Sequence, residues 1–225
     1  MSEVGCGERY PLAIAHRVGN HPERIDEAKA AGVDLIEADV WLHRGRLEVR
    51  HLKTLGPIPL LWDRWCLAPA WAPRLLLEDL LDQWKPGPVG LMLDLKGKHP
   101  ELPGALRDVL DRHFAGQPVT ISARRWEMLE AFRGRPGTRL LPSAGNEKQL
   151  RELLGRLNAH HFAVPIHRKM VTRETVSAIK KRGARVFTWP INSEPVLHEV
   201  LAAGVDGIIS DSLELLRGFV GSRGA

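Results

Sequence analysis

Near each end of the chain the same joint is spelled almost identically, as Ala30-Ala31-Gly32-Val33-Asp34-Leu35-Ile36 and as Ala202-Ala203-Gly204-Val205-Asp206-Gly207-Ile208. Each reads as the last turn of a helix, a glycine free to take the left-handed conformation that closes it, and a strand that starts at once. Lys181-Arg182-Gly183-Ala184-Arg185-Val186 follows the same logic. A chain that keeps passing from helix through glycine into strand is confined to βα architectures, in which crossover helices join parallel strands. Strand-length apolar runs fall at 12–16, 34–39, 46–51, 90–95, 118–122, 138–142, 160–166, 184–189 and 206–210. Amphipathic stretches of helical length fall at 22–31, 75–84, 101–114, 125–133, 146–157, 172–182, 194–203 and 212–220. The run 46–51 follows 34–39 through His43-Arg44-Gly45-Arg46, a turn too tight for a crossover helix. Without that run, about eight βα units remain, the count that closes a (β/α)8 TIM barrel.

The 225 residues suffice for one domain with a full core, taken as 1–225 with the barrel proper at about 12–217. An eightfold barrel typically takes about 250 residues, so the loops must be short. No stretch approaches the ~20 apolar residues of a membrane span, and the first ten residues lack a signal-peptide pattern, which makes the cytoplasm the expected location. Cys6 and Cys66 form no disulfide framework, zinc spacing or redox motif. The net charge of +5 favours anionic substrates, yet the basic residues are scattered and not gathered in a stripe with aromatics, so nucleic acid is not an expected partner.

Polar residues collect where the apolar runs end. LAIA leads into His16-Arg17, VDLI into Glu37-Ala38-Asp39, LEVR into His51 and GLML into Asp94-Leu95-Lys96. Ligands of parallel α/β proteins sit beyond the carboxyl ends of the strands, so these residues are the candidate site. Period-two alternation puts Glu37 with Asp39, and Asp94 with Lys96, on one side of their strands, and Ile36, Leu93 and Leu95 on the other. Two carboxylates from one strand and one from another can then meet around a cation.

In this order the residues resemble the glycerophosphodiester phosphodiesterase family, whose barrel is related to that of the phosphatidylinositol phospholipases C. The family's His-Arg-Gly opening appears as His16-Arg17-Val18-Gly19, with Pro22-Glu23-Arg24-Ile25 shortly after. Its Gly-Ala-Asp-x-Ile-Glu-x-Asp-Val is matched by Gly32 to Val40, its His-Asp by His51-Leu52 and its Glu-x-Lys by Asp94-Leu95-Lys96. Val186 to Asn192 is similar to its Trp-Thr-Val-Asn strand, and Gly204 to Asp211 to its closing strand. The resemblance implies a metal-dependent phosphodiesterase acting on glycerophosphodiesters or related lipid head-group diesters. Glu37, Asp39 and Asp94 would hold the metal, and His16 and His51 would form the acid–base pair. Three carboxylates and no thiol suit Mg²⁺ or Ca²⁺. Arg17 and Lys96 would contact the phosphate, His167 at a strand exit would contact phosphate or substrate, and Trp189 would fill the barrel or wall the glycerol pocket. The substrate's own neighbouring hydroxyl would attack first, giving a cyclic phosphate.

The chain departs from that pattern at Asp94, one methylene shorter than the family's glutamate, and at Leu52, which removes an acidic neighbour of His51. Arg24 and Ile25 replace a polar pair, and Val18 replaces a glycine. Asp-Leu-Lys is also similar to the spider-venom sphingomyelinase D group, barrel relatives that often stop at a cyclic product. Lysophospholipid is therefore an alternative substrate, and a noncatalytic phosphate-binding barrel is an alternative of another class. The segment Gly56 to Arg74, with four prolines and Trp62, Trp65 and Trp71, reads as an irregular loop packed over the barrel, or as a flap facing lipid with peripheral membrane contact. His160 and His161 read as surface residues and Lys180-Lys181-Arg182 as a solvated helix end.

Overall fold

A computed structural model describes residues 11–54, 58, 60–63, 66–158 and 160–224. Cys6 and Trp65 lie outside the described residues. Eight parallel strands form the barrel: β1 (Leu12–Ala15), β2 (Leu35–His43), β3 (Gly90–Leu95), β4 (Val119–Ala123), β5 (Thr138–Pro142), β6 (Ala163–His167), β7 (Arg185–Trp189) and β8 (Gly207–Ser210). β1 pairs with both β2 and β8. At the far side β5 and β6 meet through the Leu140–His161 and Ala144–Ile166 bridges, with the Ala144 amide donating to the Pro165 carbonyl at 2.9 Å. The ring is thus nearly closed.

Helices α1 (Ile25–Ala30), α2 (Leu77–Gln83), α3 (Leu102–His113), α4 (Glu147–Leu154), α5 (Arg173–Lys180), α6 (Glu194–Ala202) and α7 (Leu213–Gly221) surround the sheet. Asn146, Thr172 and Ser212 cap α4, α5 and α7, each side chain accepting from the amide three residues on. Gly32 and Gly204, the glycines of the repeated joint, have φ of +74° and +89°, so the left-handed closure is present at both.

Strand parity separates two apolar layers. Ile36, Ala38 and Val40 of β2 and Leu91, Leu93 and Leu95 of β3 point outward and pack under the helices. Leu12, Ile14, Leu35, Met92, Leu141, Phe187 and Ile209 fill the barrel interior. A Cβ at Gly207 would come within 2.5 Å of the Phe187 ring, so the absent side chain is what lets that ring fill the barrel floor. Above this plug, the inward positions of β2 and β3 become Glu37, Asp39 and Asp94.

Three expectations change. The stretch 125–133 is a 3₁₀ helix at Trp126–Phe132, not an α-helix. Trp126, Leu129 and Phe132 recur every third residue and pack on the core, which suits three residues per turn, and the Trp126 indole donates to the Ser143 carbonyl at 2.9 Å. Of the expected helix 22–31 only 25–30 is α-helical, preceded by 3₁₀ turns at Val18–Asn20 and Pro22–Arg24. The proline-rich segment, expected as an irregular loop, includes paired strands among its described residues, since Leu60–Asp63 pairs antiparallel with both Lys53–Thr54 and Cys66–Pro69. Pro69 sits at the strand end, where a missing amide is tolerated. β2 runs on to His43 and turns through Arg44 and Gly45, with φ of +50° and +76°, into the antiparallel strand Arg46–Val49. Such a two-residue turn matches hairpin twist.

Candidate active site

Each residue predicted at a strand end stands at the carboxyl end of the barrel. Asp39 and Asp94 are register partners across β2 and β3, and Asp94 is in turn level with Ser122 of β4. With Glu37 they form a group whose ligand oxygens all lie within 4.8 Å of one another. Glu37 and Asp39 are 2% and 0% exposed. A polar frame holds them. The Arg17 amide donates to Glu37 Oε2 at 2.6 Å, and the Asn20 side chain takes the Asp39 amide and gives its NH₂ to Asp39 Oδ2, both at 2.8 Å. A Cβ at Gly19 would lie 2.6 Å from that of Ala38, so only a glycine lets this turn reach β2. Arg17 takes the left-handed conformation, φ +58°, a backbone strain of the sort that gathers at working sites.

Lys96 Nζ pairs with Asp39 at 2.8 Å and also with Asp94. Burial alone would discharge this amine, but Asp94, Asp39 and Glu37 together hold it charged well above the usual lysine range. Burial, and then the charge of Asp39, push Glu37 up to about 8. Burial works the same way on Asp39, yet the Lys96 charge and hydrogen bond and the Asn20 bond leave it below the ordinary carboxylate value. Asp94 Oδ1 is buried with no hydrogen-bond partner, and an oxygen in that state beside two further carboxylates fits a hard cation.

The two histidines share one arrangement. His16 Nδ1 meets Asp211 Oδ1 at 2.7 Å, and His51 Nδ1 meets Asp63 Oδ2 at 2.6 Å. Both rings line a cavity of about 440 Å³, with Arg17, Glu37, Asp94, Lys96 and Trp189 also in its lining. Burial disfavours the charged imidazole of His16, but the Asp211 bond and the charges of Glu37 and Asp211 outweigh it and raise its pKa. Asp211, despite its own burial, is held down to about 2 by the His16 bond and charge and by Asn192, whose amide donates at 2.9 Å.

Trp189 faces the cavity, with the Arg124 guanidinium 5.6 Å from its ring centroid. His167 is not on the cavity wall. Its ring packs edge-on against Trp189, centroids 6.2 Å apart, and its Nδ1 accepts from the Lys169 amide. Burial and then the Lys169 and Arg168 charges lower its pKa. The sequence reading passed over Asp63, Asp211, Asn192 and Asn20. Asn20, four residues after His16, and Asn192 and Asp211, each the end of a matched motif, carry a local signal, and Asp63 carries none.

Residues 185–214 match the model of the glycerophosphoryl diester phosphodiesterase family. A curated Bacillus subtilis (strain 168) protein, YhdW, whose name assigns it provisionally as a glycerophosphodiester phosphodiesterase, is 29% identical over 134 residues. That match takes in 55% of this chain and 53% of YhdW, so the chain spans about half the length of this curated relative. Among solved structures, a Thermotoga maritima glycerophosphodiester phosphodiesterase superposes with a TM-score of 0.73 at 17% identity, covering 96% of this chain and 100% of that one. An Oleispira antarctica phosphodiesterase, solved with its product sn-glycerol-3-phosphate, gives 0.72 at 21% identity, covering 94% and 97%. At such identities the likeness is one of fold. Family model, curated relative and barrel agree in what they resemble: the chain is similar to the glycerophosphodiester phosphodiesterases and has their barrel fold.

Proposed function

We propose that this barrel is a metal-dependent phosphoric diester hydrolase that cleaves glycerophosphodiesters by paired histidine catalysis, through a cyclic phosphate. The observation that carries the reading is the pair of histidines lining one cavity, each with Nδ1 on a carboxylate, together with three clustered carboxylates. Glu37, Asp39 and Asp94 would hold Mg²⁺ or Ca²⁺, which supplies positive charge against the phosphate and eases loss of the hydroxyl proton. Arg17 and Lys96 face the same cavity, and Arg17 Nε is buried without a hydrogen-bond partner, a donor suited to a non-bridging phosphate oxygen.

With Nδ1 engaged, each imidazole presents Nε2 for proton transfer. One ring takes the proton of the glycerol hydroxyl next to the diester as its oxygen bonds to phosphorus. The other gives a proton to the head-group oxygen as the P–O bond breaks. The attacking group is already tethered, which removes much of the entropic barrier. Water then opens the ring, with the two histidines exchanging roles. Trp189 would wall the glycerol pocket, and His167 would act only through Trp189. The work is done by one barrel domain in the cytoplasm.

A second substrate reading, lysophospholipid or sphingomyelin at a membrane surface, draws on Ile58, Trp62, Leu67 and Trp71, which are 54%, 42%, 64% and 72% exposed. Trp62 and Leu67 are cross-strand partners and so share the outer face of the hairpin. The test is phosphorus NMR during turnover of a glycerophosphodiester. A cyclic phosphate signal, and resistance of an analogue whose neighbouring hydroxyl is methylated, would support the scheme. Rapid cleavage of that analogue would exclude the cyclic route.

A further inference from the structure

The family's acidic neighbour of the second histidine is missing, because Leu52 follows His51. The structure supplies a carboxylate there from another element. We propose that Asp63, on the strand Leu60–Asp63, is the positioning residue of His51, and that the proline-rich hairpin exists in part to deliver it. The inference rests on His51 being one of the two proton-transfer groups.

Register explains how the hairpin does this. Lys53 opposes Trp62 and Thr54 opposes Leu61 in an antiparallel pair, so the strand reverses direction beside His51. Alternation then divides Leu60–Asp63 into two faces. Leu61 and Asp63 share the inner one. Leu61 is 1% exposed, while Asp63, two residues on, reaches His51 Nδ1 at 2.6 Å. Trp62 takes the outer face, where Lys53 Nζ sits 5.9 Å from its ring centroid. A one-residue slip would exchange these faces and carry Asp63 away from the imidazole. The contact is partly screened, with His51 and Asp63 side chains 26% and 31% exposed, so its value lies in geometry more than in attraction.

A carboxylate on Nδ1 fixes the tautomer that carries its proton there and turns Nε2 toward the substrate. In serine hydrolases, loss of the corresponding carboxylate lowers kcat by as much as about 10⁴ because the wrong tautomer forms. His16 receives the same treatment from Asp211, at 2.7 Å. The site therefore orients both imidazoles by one device, drawn from two unrelated parts of the chain.

The experiment uses the whole 225-residue chain with Asp63→Ala, Asp63→Asn, Asp63→Glu and His51→Ala. Long-range ¹⁵N–¹H NMR of the imidazoles reads the His51 tautomer without substrate, and steady-state kinetics on glycerophosphocholine reads turnover. The expected result is an Nδ1–H tautomer in the natural protein that is lost in Asp63→Ala and Asp63→Asn. In those two variants kcat should fall about a hundredfold or more with KM changed less than threefold, and Asp63→Glu should recover part of it. Should Asp63→Ala or Asp63→Asn unfold, the tautomer of the natural protein and the kcat of Asp63→Glu still decide the matter. An Nε2–H tautomer in the natural protein, or full kcat in Asp63→Asn beside an inactive His51→Ala, would overturn the role of Asp63. Full activity in His51→Ala would instead overturn the role of His51 and the inference with it.

Discussion

Lys96→Met is the substitution with the most calculable consequence. The ammonium is the countercharge of three clustered carboxylates, bonded to Asp39 at 2.8 Å and to Asp94. Methionine keeps the length of the side chain and removes the charge. Breaking a buried ion pair from one side costs about 3–5 kcal/mol, because the partner charges stay behind without compensation. Glu37, pushed up to about 8, already favours its neutral form at pH 7. That relief places the loss near the lower end, about 3 kcal/mol. In a chain of this size it corresponds to a Tm lower by about 6–12 °C. A ligand at a hundred times its Kd restores about 2.7 kcal/mol, so saturating Mg²⁺ or Ca²⁺ should return nearly all of the loss. The same cations should raise the Tm of the natural protein by less, since there Lys96 competes for the carboxylates. Differential scanning calorimetry at pH 7, in chelator and then in a cation titration, measures both numbers. A variant that melts within 2 °C of the natural protein in chelator, or that gains no more from cation than it does, would refute this account of the carboxylate cluster.

His16→Ala and His51→Ala should each lower kcat by about a hundredfold or more while the far-ultraviolet circular dichroism spectrum is retained. Asp211→Asn should destabilise the fold by about 1 kcal/mol or less, its side chain being 43% exposed and screened. The raised pKa of His16 makes its share complete below 6.5 and lost as pH rises through the folded value, while Asp211 contributes above 3.8 and loses its share as pH falls toward about 2. Urea unfolding of the Asp211→Asn variant should therefore show the largest deficit between about pH 4 and 6.5 and a smaller one at pH 9; an equal deficit at both would separate His16 from Asp211. Trp62→Ala with Leu67→Ala should raise KM for a lysophospholipid and leave a water-soluble glycerophosphodiester unaffected, because a remote chain contributes binding only where an apolar surface meets it; equal losses on both would mark the pair as packing.

The barrel was legible because parallel strands, buried on both faces, spell themselves as apolar runs, and because the helix–glycine–strand joint recurs. β3 and β5 match their expected bounds of 90–95 and 138–142. The carboxylate cluster was legible from parity, since Glu37, Asp39 and Asp94 lie on alternate residues of strands whose other positions, Ile36, Leu93 and Leu95, are apolar. What stayed hidden depends on contacts between distant segments. Asp211 lies 195 residues from His16, and no local pattern links them. Asp63 sits among prolines that argue against a strand, and its role exists only in one hairpin register. His167 shows the converse. Its strand was foreseen, but the Lys169 amide and the Trp189 ring hold the imidazole off the cavity wall.

The central claim is phosphodiester cleavage that depends on the carboxylate cluster, and one assay meets it directly. Purified protein is incubated with glycerophosphocholine and glycerophosphoethanolamine in chelator, and then with Mg²⁺ or Ca²⁺ restored, while phosphorus NMR follows the diester. The account predicts no turnover in chelator, a glycerol phosphate resonance once either cation is returned, and loss of that resonance in Asp39→Asn at cation concentrations that sustain the natural protein. Turnover that persists through exhaustive chelation would contradict the metal site, and an intact diester under every condition, with lysophospholipid and sphingomyelin also untouched, would contradict the enzyme.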